Sequence, residues 1–164
     1  MLEITIDTRE QTPWAFPPYV ATVTVGTLTT GDYALTGDDG FAIERKSLND
    51  FVGTIASGWA RFLRETDRMD GWPAKVVIVE GDFEHLVFRT DPDGEVRHPD
   101  HDHNRISPQF VMKRIAELTM RGVSILFAHD ALCACGLATA VLKERAAQIE
   151  SSSTEQLVSG EVTE

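Results

Sequence analysis

GDYALTGDDGFAIERKSLND, residues 31–50, is the stretch on which the reading of this chain turns. Tyr33–Leu35 and Phe41–Lys46 flank Thr36-Gly37-Asp38-Asp39-Gly40, and that turn chemistry predicts two antiparallel strands joined as a hairpin. Alternation along the second strand places Glu44 and Lys46 on one face, about 7 Å apart, with Arg45 on the other. Asp32 stands at the far end of the first strand, where folding back brings its carboxylate beside Glu44. Ser47 then opens a helix, with Asp50 three residues on in the position of a capping box.

Working outward, Leu2–Asp7 has strand alternation with Ile4 and Ile6 on one face. Val20–Leu28 is β-branched and threonine-rich, a second strand. The helix that Ser47 opens carries Phe51, Val52, Ile55, Trp59, Phe62 and Leu63 at three- and four-residue spacings, with Gly58 as a bend. Lys75–Glu80 (KVVIVE) is the continuous apolar run of a strand covered on both faces. Residues 89–107 read as a long polar loop. Ser107-Pro108 starts a helix, Val123–Ala128 is a strand, and Asp130 caps a final helix to about Ile149. The order β-β-β-β-α-β-α-β-α is that of an α/β protein, a mixed sheet sandwiched by helices. No internal repeat is visible.

The length of 164 residues suits one domain with one substantial core. A net charge of −11 excludes gripping nucleic acid by bulk positive charge, though not by a local basic stripe. Cys133 and Cys135 are one residue apart, which argues against a stabilising disulfide and for a reduced compartment. No signal peptide or membrane span is visible, so the expected setting is the cytoplasm. After Arg145 come Glu150, Glu155, Glu161 and Glu164 without a base, in a Ser/Thr/Glu-rich stretch that predicts a disordered acidic tail over 151–164.

Two carboxylates and a lysine on adjacent strands suit metal-assisted phosphodiester hydrolysis. Hard oxygen ligands hold Mg²⁺ or Mn²⁺, and the lysine orients water or offsets charge developing on the phosphate. The plainer alternative is a surface hairpin whose charges are merely solvated.

Ile6-Asp7-Thr8-Arg9-Glu10, Gly31-Asp32-Tyr33 and Glu44-Arg45-Lys46-Ser47-Leu48-Asn49-Asp50 resemble the nuclease domain of the XPF family of structure-specific endonucleases. The family's hallmark is GD, a variable gap, then ERK with an Asp four residues beyond the Lys. Gly58 with Arg61-Phe62, and Val76–Gly81, match as well, and the likeness spans roughly residues 3–145. The opening Asp7–Trp14 is most similar to free-standing bacterial and phage members, which implies a bacterial or phage-infected cell. The resemblance implies a restriction-endonuclease-like fold over residues 1–150 and metal-dependent cleavage of branched or flapped DNA. Large members carry helix-hairpin-helix motifs after this domain, where this chain has an acidic stretch. A separate DNA-targeting partner is therefore expected. Inactive partners in the family suggest the alternative of a non-catalytic junction-binding or scaffold subunit, but such partners usually lack the GD or ERK residues. An acidic DNA mimic is suggested by net charge alone.

The expected metal ligands are Asp32 and Glu44, with Asp7 as a further ligand, a brace behind one, or a loop cap. Lys46 serves the attacking water or the transition state. Arg45, Asp50 and Arg9 brace the motif, Arg45 through Asp50 or Asp7 unless it reaches a phosphate. Arg61, Arg64 and Arg68 recur along one side of the first helix, and Arg61 and Arg64 with Arg97 and Arg105 of the long loop are the expected DNA contacts. His98, His101 and His103 are solvated loop residues or, less simply, metal ligands. Ala131–Leu142 is apolar all round, which predicts a homodimer through the C-terminal helices. The alternative is burial beneath the preceding helix, Pro108–Arg121. XPF-type domains pair through this region, so the resemblance points to the dimer.

Overall fold

Three alternating aliphatic residues, Leu2, Ile4 and Ile6, make Leu2–Asp7 a strand (β1) whose inward face is buried. The computed structural model describes residues 1–87, 89–90, 96–97 and 106–160, with the side chains of 89–90, 96–97 and 155–160 excepted. The remaining sheet strands are β2 (Ala21–Gly26), β3 (Tyr33–Leu35), β4 (Ile43–Ser47), β5 (Lys75–Glu80) and β8 (Val123–Ala128). They form one six-stranded sheet in the order β2-β1-β3-β4-β5-β8. β3 is antiparallel to β1 and β4, while β1–β2, β4–β5 and β5–β8 are parallel. Five strands thus end at one edge of the sheet, and β3 begins there.

The helices are α1 (Leu48–Ile55), α2 (Trp59–Asp67), α3 (Glu84–Val87), α4 (Pro108–Met120) and α5 (Ala131–Gly160). β5 shows how the layers divide, because its side chains alternate between two cores. Val76 and Ile78 meet Ile4, Tyr33 and the α5 residues Ala134, Ala138 and Leu142. Val77 and Val79 meet Phe51 and Ile55 of α1, Phe62 of α2 and Val111 and Leu118 of α4. Ile78 and Val79 are wholly buried, and trimming a β5 side chain to alanine is expected to cost about 2 kcal/mol or more.

Several sequence expectations are corrected. The helix after Ser47 is two helices, broken at Ala56–Gly58, where the Gly58 N–H donates to the Gly53 carbonyl (2.9 Å). A Cβ at Gly58 would stand 3.1 Å from Thr54 Cα, a crowded approach that glycine relieves. The 89–107 stretch holds a short hairpin, β6 (Arg89–Thr90) with β7 (Val96–Arg97). The last helix does not stop near Ile149 but continues to Gly160, with Ser151, Ser152, Ser153 and Thr154 returning their hydroxyls to carbonyls four residues back. Finally, α5 does not lie beneath α4, since the two helices cover opposite faces of the sheet. One face of α5 is buried and the other exposes Leu132, Gly136 and Ala140. Arg145 anchors α5 to the β3–β4 turn through two hydrogen bonds to Asp38 (2.7 and 3.0 Å).

Candidate active site

The edge where the parallel strands end gathers the hairpin motif. Gly31 sits at φ +82°, and a Cβ there would come within 2.7 Å of Ala42 Cβ, so the residue before Asp32 has to be glycine. That close approach docks Asp32 on β4. Its backbone N–H donates to the Ile43 carbonyl (2.8 Å), and its Oδ2 accepts the Arg45 N–H (2.7 Å). Glu44 and Lys46 share a face, as alternation requires, and Lys46 Nζ donates to Glu44 Oε1 at 2.9 Å. The same ammonium lies 5.2 Å from the centre of the Phe62 ring. Asp32 is pushed up to about 7, first by burial and then by the Glu44 charge, with the Arg45 N–H and Lys46 opposing. Two carboxylates therefore stand together with too little positive charge to keep both ionised.

Arg45 points the other way, over Trp14 at 5.7 Å. Its hydrogen bonds run to neither Asp50 nor Asp7. Its Nε and Nη2 meet the two oxygens of Glu80 (2.8 and 3.0 Å), and its Nη1 reaches Glu10 Oε1 (2.9 Å) and Thr12 Oγ1 (3.0 Å). Trp14 Nε1 adds a donor to Glu80. The Glu80 hydrogen bond chiefly raises Arg45, which stays charged. Burial works to raise Glu80, but its bonds to Arg45 and Trp14 outweigh it and hold the carboxyl low. Glu80, Glu10, Thr12 and Trp14 are site residues that local spacing does not reveal, because they converge from separate segments. The one available signal was the acid ending KVVIVE.

Asp7 is 1 % exposed and its oxygens are already engaged. Oδ1 accepts from the Arg9 N–H and Nε (2.8 and 2.6 Å) and Oδ2 from the Leu28 N–H (2.7 Å). Burial opposes its charge, but these donors prevail and keep the carboxyl low. Asp7 thus caps the loops beside the site, while its own N–H donates to the Asp32 carbonyl (2.8 Å). Arg9 is held by Asp7 and also feels the charges of Asp32 and Glu44.

Ser47 caps α1, its Oγ accepting the Asp50 N–H (3.1 Å) and donating to Asp50 Oδ2 (2.7 Å). Asp50 therefore serves the helix start, as the capping pattern suggested. The three arginines diverge. Arg61 borders an open cleft beside Lys46 and pairs loosely with Glu65 (3.7 Å), Arg64 is exposed late in α2, and Arg68 leans on Thr30 (3.4 Å). Arg105, His98, His101 and His103 lie outside the described residues, as does the side chain of Arg97.

Among the described residues no cluster of three or more His, Cys, Asp or Glu is arranged around a metal position. Asp32 and Glu44 still suit a hard divalent cation. Mg²⁺ commonly binds through one or two carboxylates and keeps several waters, and the proton affinity forced on Asp32 marks a deficit of positive charge there. Among the described residues no helix is long and apolar enough to cross a membrane.

The ERCC4 domain matches residues 6–139 of the chain. XPF from Aeropyrum pernix superposes with a TM-score of 0.62 at 19% identity, covering 87% of this chain and 61% of its own. XPF from Aeropyrum pernix in complex with DNA gives a TM-score of 0.63 at 21% identity, covering 90% of this chain and 66% of its own. The chain thus spans less than two thirds of either structure. The mixed six-stranded sheet flanked by helices is the XPF nuclease fold, of the restriction-endonuclease-like kind. No curated protein matches the chain.

Proposed function

The chain belongs to the ERCC4 domain family, and on that premise we propose that it is a divalent-metal-dependent endonuclease acting on branched or flapped DNA. The observation that carries this reading is the junction of Asp32, Glu44 and Lys46 where the parallel strands end. Asp32 and Glu44 would hold one Mg²⁺ or Mn²⁺, with water completing the shell. A cation bound there polarises the scissile phosphate and lowers the pKa of the attacking water. Lys46, paired with Glu44 and positioned over Phe62, would donate an N–H hydrogen bond to that water or to phosphate oxygens as charge develops on them. Arg45 stays outside the chemistry and fixes the strand that carries both groups.

The substrate expectation rests on the family and on the solved DNA complex of XPF from Aeropyrum pernix. Arg61 and Arg64 are the proposed phosphate contacts, joined by Arg97 and Arg105. A free-standing bacterial or phage role in repair or recombination, in the cytoplasm and with a separate targeting partner, completes the reading. The deciding experiment incubates the protein with flap, fork, Holliday-junction, single-stranded and duplex DNA in Mg²⁺, Mn²⁺ or EDTA. Cleavage of branched substrates that EDTA stops is the expected result, and no cleavage under any condition would overturn the assignment.

A homodimer through α5 is part of the same proposal. Leu132 is 79 % exposed beside Gly136 and Ala140, a surface open to close packing. Leu137 packs against the core, so Leu132→Glu is the cleaner probe. It should convert a dimer into folded monomers, and light scattering of the unsubstituted protein at one chain's mass, 18.2 kDa, would end the idea.

A further inference from the structure

Gly53 lies near the end of α1, exposed to solvent, and a Cβ added there would meet nothing within 4 Å. Glycine inside a helix is unfavourable relative to alanine by about 1 kcal/mol, and nothing internal to the fold calls for it here. Gly58, five residues on, is the instructive contrast, because a Cβ there would crowd Thr54. One other helical glycine, Gly136, is also unhindered, but it lies on α5 across the sheet. Gly53 instead lines the open cleft of about 620 Å³ that begins at Lys46.

The cleft has a definite layout. Asn49 and Gly53 are four residues apart, so they stack on one face of α1, and Ser57 follows in the turn. This floor is small, polar and uncharged. Lys46, bonded to Glu44, and Arg61, its side chain 74% exposed, both line the cleft. Asp50 also borders the cleft, its carboxylate turned to the Ser47 hydroxyl at 2.7 Å, so it is Lys46 and Arg61 that would draw an anion to the Gly53 side. An open cleft with small polar residues on its floor and Lys46 and Arg61 in its lining suits the sugar–phosphate backbone of one DNA strand. Main-chain approach without a side chain in the way is the use to which such a glycine is put.

We propose that the face Asn49–Gly53–Ser57, closed by Arg61, is the track along which the cut strand runs through the active site. Gly53 is the point of closest approach. The proposal rests on the DNA-endonuclease reading above. It makes Gly53 and Arg61 determinants of strand placement rather than of the chemistry at Lys46.

The test uses the full chain with Gly53→Ala, Gly53→Leu and Arg61→Gln. Binding of a fluorescently labelled flap DNA is followed by anisotropy in EDTA across a salt series, and melting temperature is recorded for each variant. Both Gly53 variants should melt at or above the parent temperature, since the helix gains propensity and loses no contact. Gly53→Leu should weaken DNA binding about tenfold or more, with Gly53→Ala in between. Arg61→Gln should lower the slope of log affinity against log salt by about 0.9, one phosphate contact. Gly53→Leu that binds as the parent does overturns the track, as does a fall in melting temperature in both Gly53 variants, which would make the glycine structural. An unchanged salt slope in Arg61→Gln removes Arg61 from it. If the unsubstituted protein binds no DNA at all, the track fails, and the nuclease reading fails with it only where the cleavage panel is also blank. Parent binding that Gly53→Leu leaves intact overturns the track alone.

Discussion

The two faces of β4 carry the same kinds of side chain and put them to opposite uses. On one face Arg45 is fully matched, with Glu80 taking two of its donors and Glu10 and Thr12 a third. On the other, Glu44 and Asp32 share Lys46, and Asp32 is driven up to about 7 by burial and its neighbour. Each face sets two carboxylates against one cation, so the difference lies in pairing: Arg45 bonds both of its acids and fixes the strand, whereas Lys46 bonds Glu44 and leaves Asp32 the backbone N–H of Arg45. A buried polar network is costly when half satisfied, so the imbalance next to a balanced network is the more informative observation.

The sharpest way to break this contrast is to remove the unmatched side. Asp32→Ala, Glu44→Ala and Lys46→Ala should each lower metal-dependent nicking by about 10³-fold, with circular dichroism unchanged. Undiminished nicking in the Asp32 or Glu44 variant would strip that face of its proposed role. Removing the matched side should do something different. Arg45→Ala or Glu80→Ala leaves a partner charge largely buried, and urea unfolding should show a loss of about 2–3 kcal/mol. Activity should fall along with the fraction folded rather than ahead of it.

The pH dependence separates the faces again. Asp32 has an ordinary value of 3.8 and about 7 in the fold, so the folded state holds the proton more tightly. Its favourable contribution is complete below 3.8 and is lost as pH rises through 7. In EDTA, Asp32→Asn should therefore be more stable than the parent at pH 8, by about 1–2 kcal/mol, and converge with it toward pH 4. Parent affinity for Mg²⁺, measured by calorimetry, should rise with pH up to about 7 as the cation displaces that proton. Equal stability of the two proteins at pH 8 would mean that the carboxylates do not repel. The smallest effect belongs to the cap that both faces share: Ser47→Ala or Asp50→Asn should cost about 1 kcal/mol by thermal melting, with nicking of folded protein retained.

Period and turn chemistry made β1, β3, β4, β5 and β8 legible in the sequence, because alternation and an Asp/Gly-rich turn act within a few residues. The same locality placed Glu44 and Lys46 together and Arg45 opposite. The Ser47 cap was equally local. What sequence could not decide is what meets across the fold. The Arg45 clamp joins residues 10, 12, 45 and 80, and no spacing rule ranks Glu80 over Asp50 as the partner. Ligand, brace and loop cap were all open readings of Asp7 in the sequence, and only the fold shows the Leu28 N–H and Arg9 on its oxygens. The bend at Gly58 was legible, but not that it becomes a full break at Ala56–Gly58. The extent of α5 was missed because its end, exposed over Ser151–Thr154, is polar helix carried by backbone and hydroxyl hydrogen bonds and not by an apolar face. Local chemistry named the candidate residues, and only tertiary contact, through the desolvation and pairing it imposes, decided which of them are bonded to one another, as Arg45 is to Glu80, and which are crowded and desolvated, as Asp32 is beside Glu44.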